Sequence, residues 1–327
     1  MQTLVANFSK QLTEAIAIGS SAKLTASQNK ISNVLICGLG GSGIGGSIVT
    51  ELVAGNANVP INVTKGYFIP AYVNENTLII ISSYSGNTEE TLNCMDLAMS
   101  KNAKIVGITS GGKVLDTCKT KGFDCIVVPG GMPPRSCLGY SLTQLFFILG
   151  FHKIINNNYK AELEASVKLL DSEEEAIIAE AKSIAAKIKG KIPVIYATTY
   201  NEGIAIRFRQ QLNENSKVLC WHHIVPEMNH NELVGWTEKN DNLSVLFFLD
   251  KDDYSRNLAR VDINKEVIKK HVSSITDIYS KGNSIIERAI YFIHLGDWIS
   301  VALAELRGVD AVEVNVINHL KSKLSEL

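Results

Sequence analysis

Short apolar runs alternate with amphipathic segments through the first half of the chain. The apolar runs predict strands at residues 33–37, 61–64, 77–82, 104–108 and 124–128, and helical spacing predicts helices at 44–54, 88–101, 112–121 and 137–150. Several runs, such as Leu78-Ile79-Ile80-Ile81, are apolar at every position. Continuous hydrophobicity of this kind is typical of parallel strands that helices cover on both faces.

The same alternation starts again after a long charged amphipathic segment at residues 159–189. Strands are predicted at 193–197, 217–221, 243–249 and 275–279, and helices at 201–213, 226–235, 253–270, 284–306 and 312–325. The polar run Asn156-Asn157-Asn158 marks the best boundary. We therefore predict an α/β protein with two doubly wound, flavodoxin-like parallel-sheet domains in tandem, at residues 1–156 and 157–327.

Composition and charge narrow the class of protein. Hydrophobic residues make up 46% of the chain and charged ones 20%, which is typical of a packed globule. A net charge of -1 provides no electrostatic attraction for nucleic acid or an anionic membrane, and we see no apolar run of membrane-spanning length. The N-terminal residues 1–24 resemble an amphipathic helix rather than a signal peptide. Scattered cysteines without C-x-x-C favour reduced thiols in a cytoplasmic protein.

A glycine-rich turn after the first predicted strand indicates an anion site. Gly38, Gly40 and Gly43 satisfy G-x-G-x-x-G, and exposed N–H groups at the start of a helix attract anions. A dinucleotide site would also need an acidic residue at the end of the second strand. That strand, at 61–64, ends instead in Lys65. We therefore predict an anion site without a cofactor.

A second loop carries three hydroxyl groups at the end of the strand at 77–82. Ser83, Ser85 and Thr88 surround Gly86 just where a helix begins. Hydroxyls and free N–H groups at a helix N-terminus suit a phosphate dianion. The alternative is an ordinary Ser/Thr helix cap, but a cap needs only one hydroxyl.

Two further patterns fail on inspection. Residues 107–114 nearly match a P-loop, but Val114 stands where a hydroxyl should meet Mg²⁺. Among His222, His223, Glu227 and His230, the last two form one E-x-x-H, whereas metal-binding helices need that motif twice or need H-E-x-x-H. The sequence therefore predicts neither nucleotide hydrolysis nor a metal site.

The loop motifs Gly40-Gly41-Ser42-Gly43 and residues 83–91 together resemble the sugar isomerase (SIS) domain, which binds phosphosugars. Four further segments extend the resemblance to the bifunctional phosphoglucose/phosphomannose isomerases: Pro133-Pro134-Arg135, Asn213-Glu214-Asn215, residues 226–232 and Leu320-Lys321. The resemblance covers residue 31 to the C-terminus. It implies a homodimer that isomerises phosphosugars without metal or nucleotide, with Gly41, Ser42, Ser83, Ser85 and Thr88 binding the substrate.

The resemblance also implies roles for four residues. Glu214 is the general base of a cis-enediol mechanism. Independently of the resemblance, it follows the C-terminal end of a predicted helix, where the negative pole of the helix dipole disfavours a charged carboxylate and so favours its taking up a proton. His230 opens the sugar ring and reaches in from the partner subunit in related enzymes. Arg135 stabilises the enediolate, and Lys321 assists ring opening. The alternatives without a catalytic role are a solvated Glu214, a capping or core His230, an Arg135 in a surface ion pair and a Lys321 that extends into solvent.

The C-terminal segment raises two further expectations. Helical spacing predicts one buried face, formed by Val316, Ile317, Leu320, Leu324 and Leu327, with Lys321 on it. In the family a polar residue two turns before the lysine influences the use of mannose 6-phosphate, and Val314 stands there. This departure puts the second activity in doubt.

We expect the protein to convert glucose 6-phosphate to fructose 6-phosphate. Two alternative functions compete with this one. A SIS-domain regulator would bind a phosphosugar without turning it over and would need neither Glu214 nor His230. A dinucleotide-dependent oxidoreductase is disfavoured by Lys65 at the end of the second strand.

Overall fold

A computed structural model describes residues 1–324 and 326, and each of two compact units contains a parallel sheet. The first unit comprises Ala6–Ser172 and Lys281–Ile290. The second unit comprises Met1–Val5, Glu173–Ser280 and Tyr291–Leu327. Leu327, assigned above to a helical face, lies outside the described residues.

The sheet of the first unit has five parallel strands in the order β2-β1-β3-β4-β5. From the N-terminus to residue 188, the chain forms in order α1 (Gln2–Ala6), α2 (Phe8–Ser21), β1 (Asn33–Cys37), α3 (Gly40–Leu52), β2 (Ile61–Thr64), β3 (Thr77–Ser82), α4 (Glu89–Met99), β4 (Lys104–Thr109), α5 (Gly112–Lys121), β5 (Asp124–Val127), α6 (Leu138–Phe151) and α7 (Tyr159–Ile188). Every residue of β3 is buried. From the β1/β3 pair the strand order extends outward to β2 on one side and to β4 and β5 on the other. In open α/β sheets, ligand sites lie at the carboxyl ends of the strands at such a point.

The sheet of the second unit repeats the pattern with four parallel strands in the order β7-β6-β8-β9. From residue 192 to residue 324, the chain forms in order β6 (Ile192–Thr198), α8 (Glu202–Glu214), β7 (Trp221–Val225), β8 (Asn240–Leu249), α9 (Ser255–Ile268), β9 (Val272–Tyr279), α10 (Ile285–Arg307) and α11 (Asn315–Leu324). Tyr196 of β6 and Phe247 of β8 are fully buried, with ring centroids 5.2 Å apart. The prediction of an α/β fold with two parallel sheets is confirmed.

Two predicted elements of the second unit are wrong. The strand predicted at 217–221 lies four residues later, because Val218 and Leu219 belong to a turn in which Leu219 is 85% exposed. The helix predicted at 226–235 is instead a pair of 3-10 turns, Glu227–His230 and Glu232–Gly235. Asn231 separates them because its side chain accepts a hydrogen bond from the N–H of Glu232 at 2.6 Å.

Helix α10 corrects the expectation that no segment has membrane-spanning hydropathy. Among the described residues, α10 alone is long and apolar enough, and 89% of its most apolar window is buried inside the protein. Such burial is typical of a core helix. The pattern was missed because Glu287, Arg288 and Asp297 interrupt the apolar run.

Candidate active site

The glycine-rich turn lies at the carboxyl end of β1. Helix α3 begins at Gly40, four residues earlier than predicted, and its N-cap residue Leu39 makes no side-chain capping hydrogen bond. A Cβ on Gly41 would lie 2.9 Å from the carbonyl oxygen of Pro134. Glycine at this position therefore lets the turn that carries Arg135 approach the start of α3 closely.

The hydroxyl loop lies at the carboxyl end of the neighbouring strand β3. The Ser83 hydroxyl donates to Thr88 Oγ1 at 3.1 Å, and Ser85 Oγ accepts from the N–H of Asn87 at 3.2 Å. Thr88 occupies the N-cap position of α4, but its side chain makes no capping hydrogen bond. The ordinary-cap alternative is therefore wrong for Thr88, and the amides of the first turn of α4 lack a side-chain cap.

Tyr84 joins these loops to the turn that carries Arg135. Its N–H donates to Ser42 Oγ at 3.0 Å, and its hydroxyl accepts from the N–H of Met132 at 3.3 Å. Burial, together with the neighbouring Cys137 thiol, raises the pKa of Tyr84. Sequence reasoning missed Tyr84, although it stands between Ser83 and Ser85.

The segment that nearly matches a P-loop supports the hydroxyl loop. The N–H of Val114 donates to the Gly86 carbonyl at 3.0 Å, and the N–H of Lys113 donates to Asn87 Oδ1 at 3.1 Å. Gly86 has a φ of +69°, and a Cβ there would collide with the carbonyl of Gly111. Val114 is fully buried, so the residue that breaks the P-loop motif packs in the core.

Arg135 is only 5% exposed and lies in the 3-10 turn Pro134–Ser136. The turn is fixed by the Ser136 N–H, which donates to the Pro133 carbonyl at 2.9 Å, and by Gln11, which donates to the Ser136 carbonyl at 2.8 Å. The alternative of a surface ion pair is therefore wrong, because this guanidinium is buried. A buried guanidinium suits the stabilisation of negative charge in a site with little water.

Glu214 is the last residue of α8, and buried polar contacts fix this end of the helix. Gln211 donates to Asp297 Oδ1 at 2.9 Å, while Arg207 Nη2 lies 2.6 Å from Asp297 Oδ2. Asn215, directly after Glu214, donates to Ser300 Oγ at 2.9 Å. Because α10 supplies both acceptors, the end of α8 is held on α10. Sequence reasoning missed this network, although Arg207 and Gln211 share a helix face by their spacing.

His230 ends the first 3-10 turn and is exposed. The core-histidine alternative is therefore wrong. The turn is anchored on one side by the fully buried Met228. On the other side, Glu232 accepts hydrogen bonds from Tyr196 at 2.5 Å and from Trp221 at 3.1 Å. The two anchors hold an exposed imidazole on a fixed backbone.

The predicted burial of the C-terminal helix is wrong for the single chain. Lys321 lies on α11, which has no buried residue, and Val316 and Leu320 on its apolar face are 83% and 57% exposed. Periodicity identifies residues that share a face, but it does not identify what covers that face. Val314 is half-buried just before the helix.

The histidines weighed as metal ligands do not form a cluster. Among the described residues, no three His, Cys, Asp or Glu side chains are placed to hold one metal ion. Burial, with a contribution from Arg209, lowers the pKa of His222 to about 4. Glu227 and His230, in contrast to the half-buried His222, are exposed.

The first unit thus brings together the predicted phosphate-binding residues and Arg135 around the ends of β1 and β3: Gly41, Ser42, Ser83, Ser85 and Thr88. The second unit contains Glu214, His230 and Lys321, on three different elements.

Comparison with known proteins identifies the family. The profile of the bacterial phospho-glucose isomerase C-terminal SIS domain matches residues 177–324. The bifunctional phosphoglucose/phosphomannose isomerase of Caldicellulosiruptor bescii is 40% identical over 99% of this chain and 98% of its own length. The enzyme of that name from Aquifex aeolicus is 38% identical over 90% of each chain.

A solved structure shares the fold at low identity. The C-terminal domain of glucosamine-fructose-6-phosphate aminotransferase from Francisella tularensis superposes with a TM-score of 0.79, covering 96% of this chain and 98% of that one at 16% identity. This likeness supports the tandem SIS-domain architecture. Together with the relatives, it confirms the resemblance in the sequence: the chain belongs to the family of bifunctional phosphoglucose/phosphomannose isomerases.

Proposed function

We propose that this isomerase interconverts glucose 6-phosphate and fructose 6-phosphate. The observation that carries the proposal is the arrangement of polar groups at the ends of two strands in the first unit. Two helix N-termini without side-chain caps and three hydroxyls lie at the carboxyl ends of β1 and β3. Such a site suits a phosphate dianion, and the relatives are named for isomerising phosphosugars.

The proposed mechanism moves a proton between two adjacent carbons. With the 6-phosphate held by Ser83, Ser85 and Thr88, the carboxylate of Glu214 takes the C2 proton and returns it to C1 through a cis-enediol. The hydroxyl proton passes from O2 to O1, in the same direction as the carbon-bound proton, so that C1 is reduced as C2 is oxidised and no redox partner is needed. Arg135 stabilises the negative charge that develops on the enediolate oxygens. His230 and Lys321 assist opening of the ring.

The proposed division of labour follows the predicted domains. Residues 1–156 bind the phosphate, and residues 157–327 supply the base and the ring-opening groups. We propose a cytoplasmic enzyme without nucleic-acid or membrane partners, consistent with its six free cysteines. The rival, a non-catalytic regulator, would bind phosphosugar equally well but would not need the buried network that holds the end of α8 beneath Glu214.

A coupled assay tests this proposal directly. The purified chain, in excess EDTA, should convert glucose 6-phosphate to fructose 6-phosphate, detected by phosphorylation of the product. Mannose 6-phosphate in the same assay tests whether Val314 excludes the second activity that the relatives' name includes. Tight binding of both sugars without turnover of either would favour the regulator.

Replacing Ser85 with alanine is expected to weaken substrate binding. One lost hydrogen bond to a dianion costs about 1.5–3 kcal/mol, so the Kd should rise roughly 10-fold or more. Calorimetry with a sugar 6-phosphate that lacks the anomeric hydroxyl measures binding without turnover. Ser100→Ala, at the opposite, exposed end of α4, is the matched control and should bind normally. Equal affinity of both variants would remove Ser85 from the site.

We also propose a homodimer with shared active sites. The exposed apolar face of α11 supports association, because an uncovered apolar face favours contact with another chain. Mixing inactive Glu214→Gln and His230→Ala chains should regenerate one intact site in each mixed dimer, about one quarter of wild-type activity overall. Assays after refolding the two chains together measure this recovery. A fully active monomer in light scattering would contradict it.

A further inference from the structure

Lys217 lies in the turn that follows α8, in a backbone conformation that side chains rarely adopt. Its φ is +55°, within the left-handed region that is uncommon for residues other than glycine. The neighbours on both sides, Ser216 and Val218, are buried, and the Ser216 hydroxyl donates to the Ser300 carbonyl at 2.6 Å. The turn is therefore fixed on α10, and the Lys217 side chain leaves it in a set direction.

The ammonium of Lys217 bridges two segments that carry predicted site residues. It donates to the carbonyl of Glu214 at 2.6 Å and to the carbonyl of Glu313 at 2.6 Å. The first carbonyl belongs to the last residue of α8. It is one of the last four carbonyls of the helix, which cannot accept a hydrogen bond from an N–H group of the same helix. The second lies two residues before α11, which carries Lys321.

Charge around the ammonium supports the same placement. Asp310 has a lowered pKa, mainly because the N–H of Val312 donates to its carboxylate, and Lys217 contributes to the shift. A cation at the negative pole of α8 is also favourable. Hydrogen bonds from a charged donor are among the stronger kinds.

We propose that Lys217 is a positioning residue that holds the Glu214 end of α8 and the α11 segment in one fixed relation. The catalytic consequence rests on the proposed roles of Glu214 and Lys321, whereas the bridge itself does not. A simple helix cap would stabilise α8 alone. A bridge also orders residues 310–324.

Hydrogen exchange tests the bridge without reference to activity. Lys217→Met keeps the side-chain stem and the Cβ but removes the charged donor. Amides of residues 315–324 should exchange at least several-fold faster in this variant, while Lys217→Arg should restore much of the protection. Lys189→Met, which alters an exposed lysine of the same unit, is the matched control. Unchanged exchange in 315–324 would overturn the proposal.

Kinetics then test the catalytic consequence. Lys217→Met should lower kcat roughly 10-fold, with KM changed less than about 2-fold, and Lys217→Arg should recover part of the loss. Because Lys217 acts partly through Lys321, the double variant with Lys321→Met should lose less than the product of the two single losses. Losses that multiply, or a normal kcat in a folded Lys217→Met enzyme, would overturn the positioning role. If the wild-type chain were inactive but Lys217→Met still speeded amide exchange in residues 315–324, the proposed function would be wrong and the bridge would stand.

Discussion

Glu214→Gln is expected to lower turnover by at least about 10²-fold while leaving phosphosugar affinity nearly unchanged. The amide keeps the size and planarity of the carboxyl group but cannot accept the C2 proton. Binding should survive because the hydroxyls proposed to bind the phosphate lie on other elements. Steady-state kinetics and calorimetry on the same preparation separate the two effects.

Glu202→Gln is the matched control for this substitution. It makes the same chemical change at the exposed first residue of α8, the same helix that ends in Glu214. Turnover should stay within about 2-fold of wild type there, since surface substitutions away from the site rarely matter. If Glu214→Gln retained wild-type turnover, another residue would have to be the base.

Asp297→Ala is expected to destabilise the second unit by about 3–5 kcal/mol, because it removes the carboxylate that pairs with the buried Arg207 guanidinium. Asp297 and Arg207 are 5% and 3% exposed, and the same carboxylate also accepts from Gln211. Removing the carboxylate leaves the guanidinium without this compensating partner in a dry environment. The urea midpoint should fall by at least about 1 M.

Tryptophan fluorescence is suited to this measurement, since Trp221, Trp236 and Trp298 all belong to the second unit. Asp241→Ala is the control. It removes a carboxylate of the same unit that pairs with Lys239 at 3.2 Å, with both side chains more than half exposed. An exposed pair contributes little, so its midpoint should match that of wild type. Equal midpoints for both variants would show that the buried network does not stabilise the unit.

The strands and loops of the first unit follow directly from sequence. A fully buried β3, apolar from Leu78 to Ile81, and the hydroxyl-rich loop after it indicate both the sheet and the location of the phosphate-binding candidates, because parallel strands place their carboxyl ends at one edge. The helix ending near Glu214 was predicted within one residue. In each case local pattern and tertiary structure agree.

Polar contacts between residues far apart in the chain could not be predicted from the sequence. Asp297 interrupts an apolar helix, and nothing local indicates that it accepts from Arg207, 90 residues away. The same holds for Lys217, whose second acceptor lies 96 residues further along the chain. The strand predicted at 217–221 failed for a related reason. The buried polar side chains of Asn215 and Ser216, just before this segment, stabilise a turn that the apolar pattern does not indicate.

Following the hydrogen at C2 tests the central claim most directly. Glucose 6-phosphate deuterated at C2 is incubated with the wild-type chain, and NMR follows the label. Glu214 as a base shared by C1 and C2 predicts that deuterium leaves C2 as fructose 6-phosphate forms, appearing partly at C1 and partly in solvent, and that Glu214→Gln suppresses both. Deuterium retained at C2 in the presence of wild-type enzyme, or lost equally fast with Glu214→Gln, would contradict it.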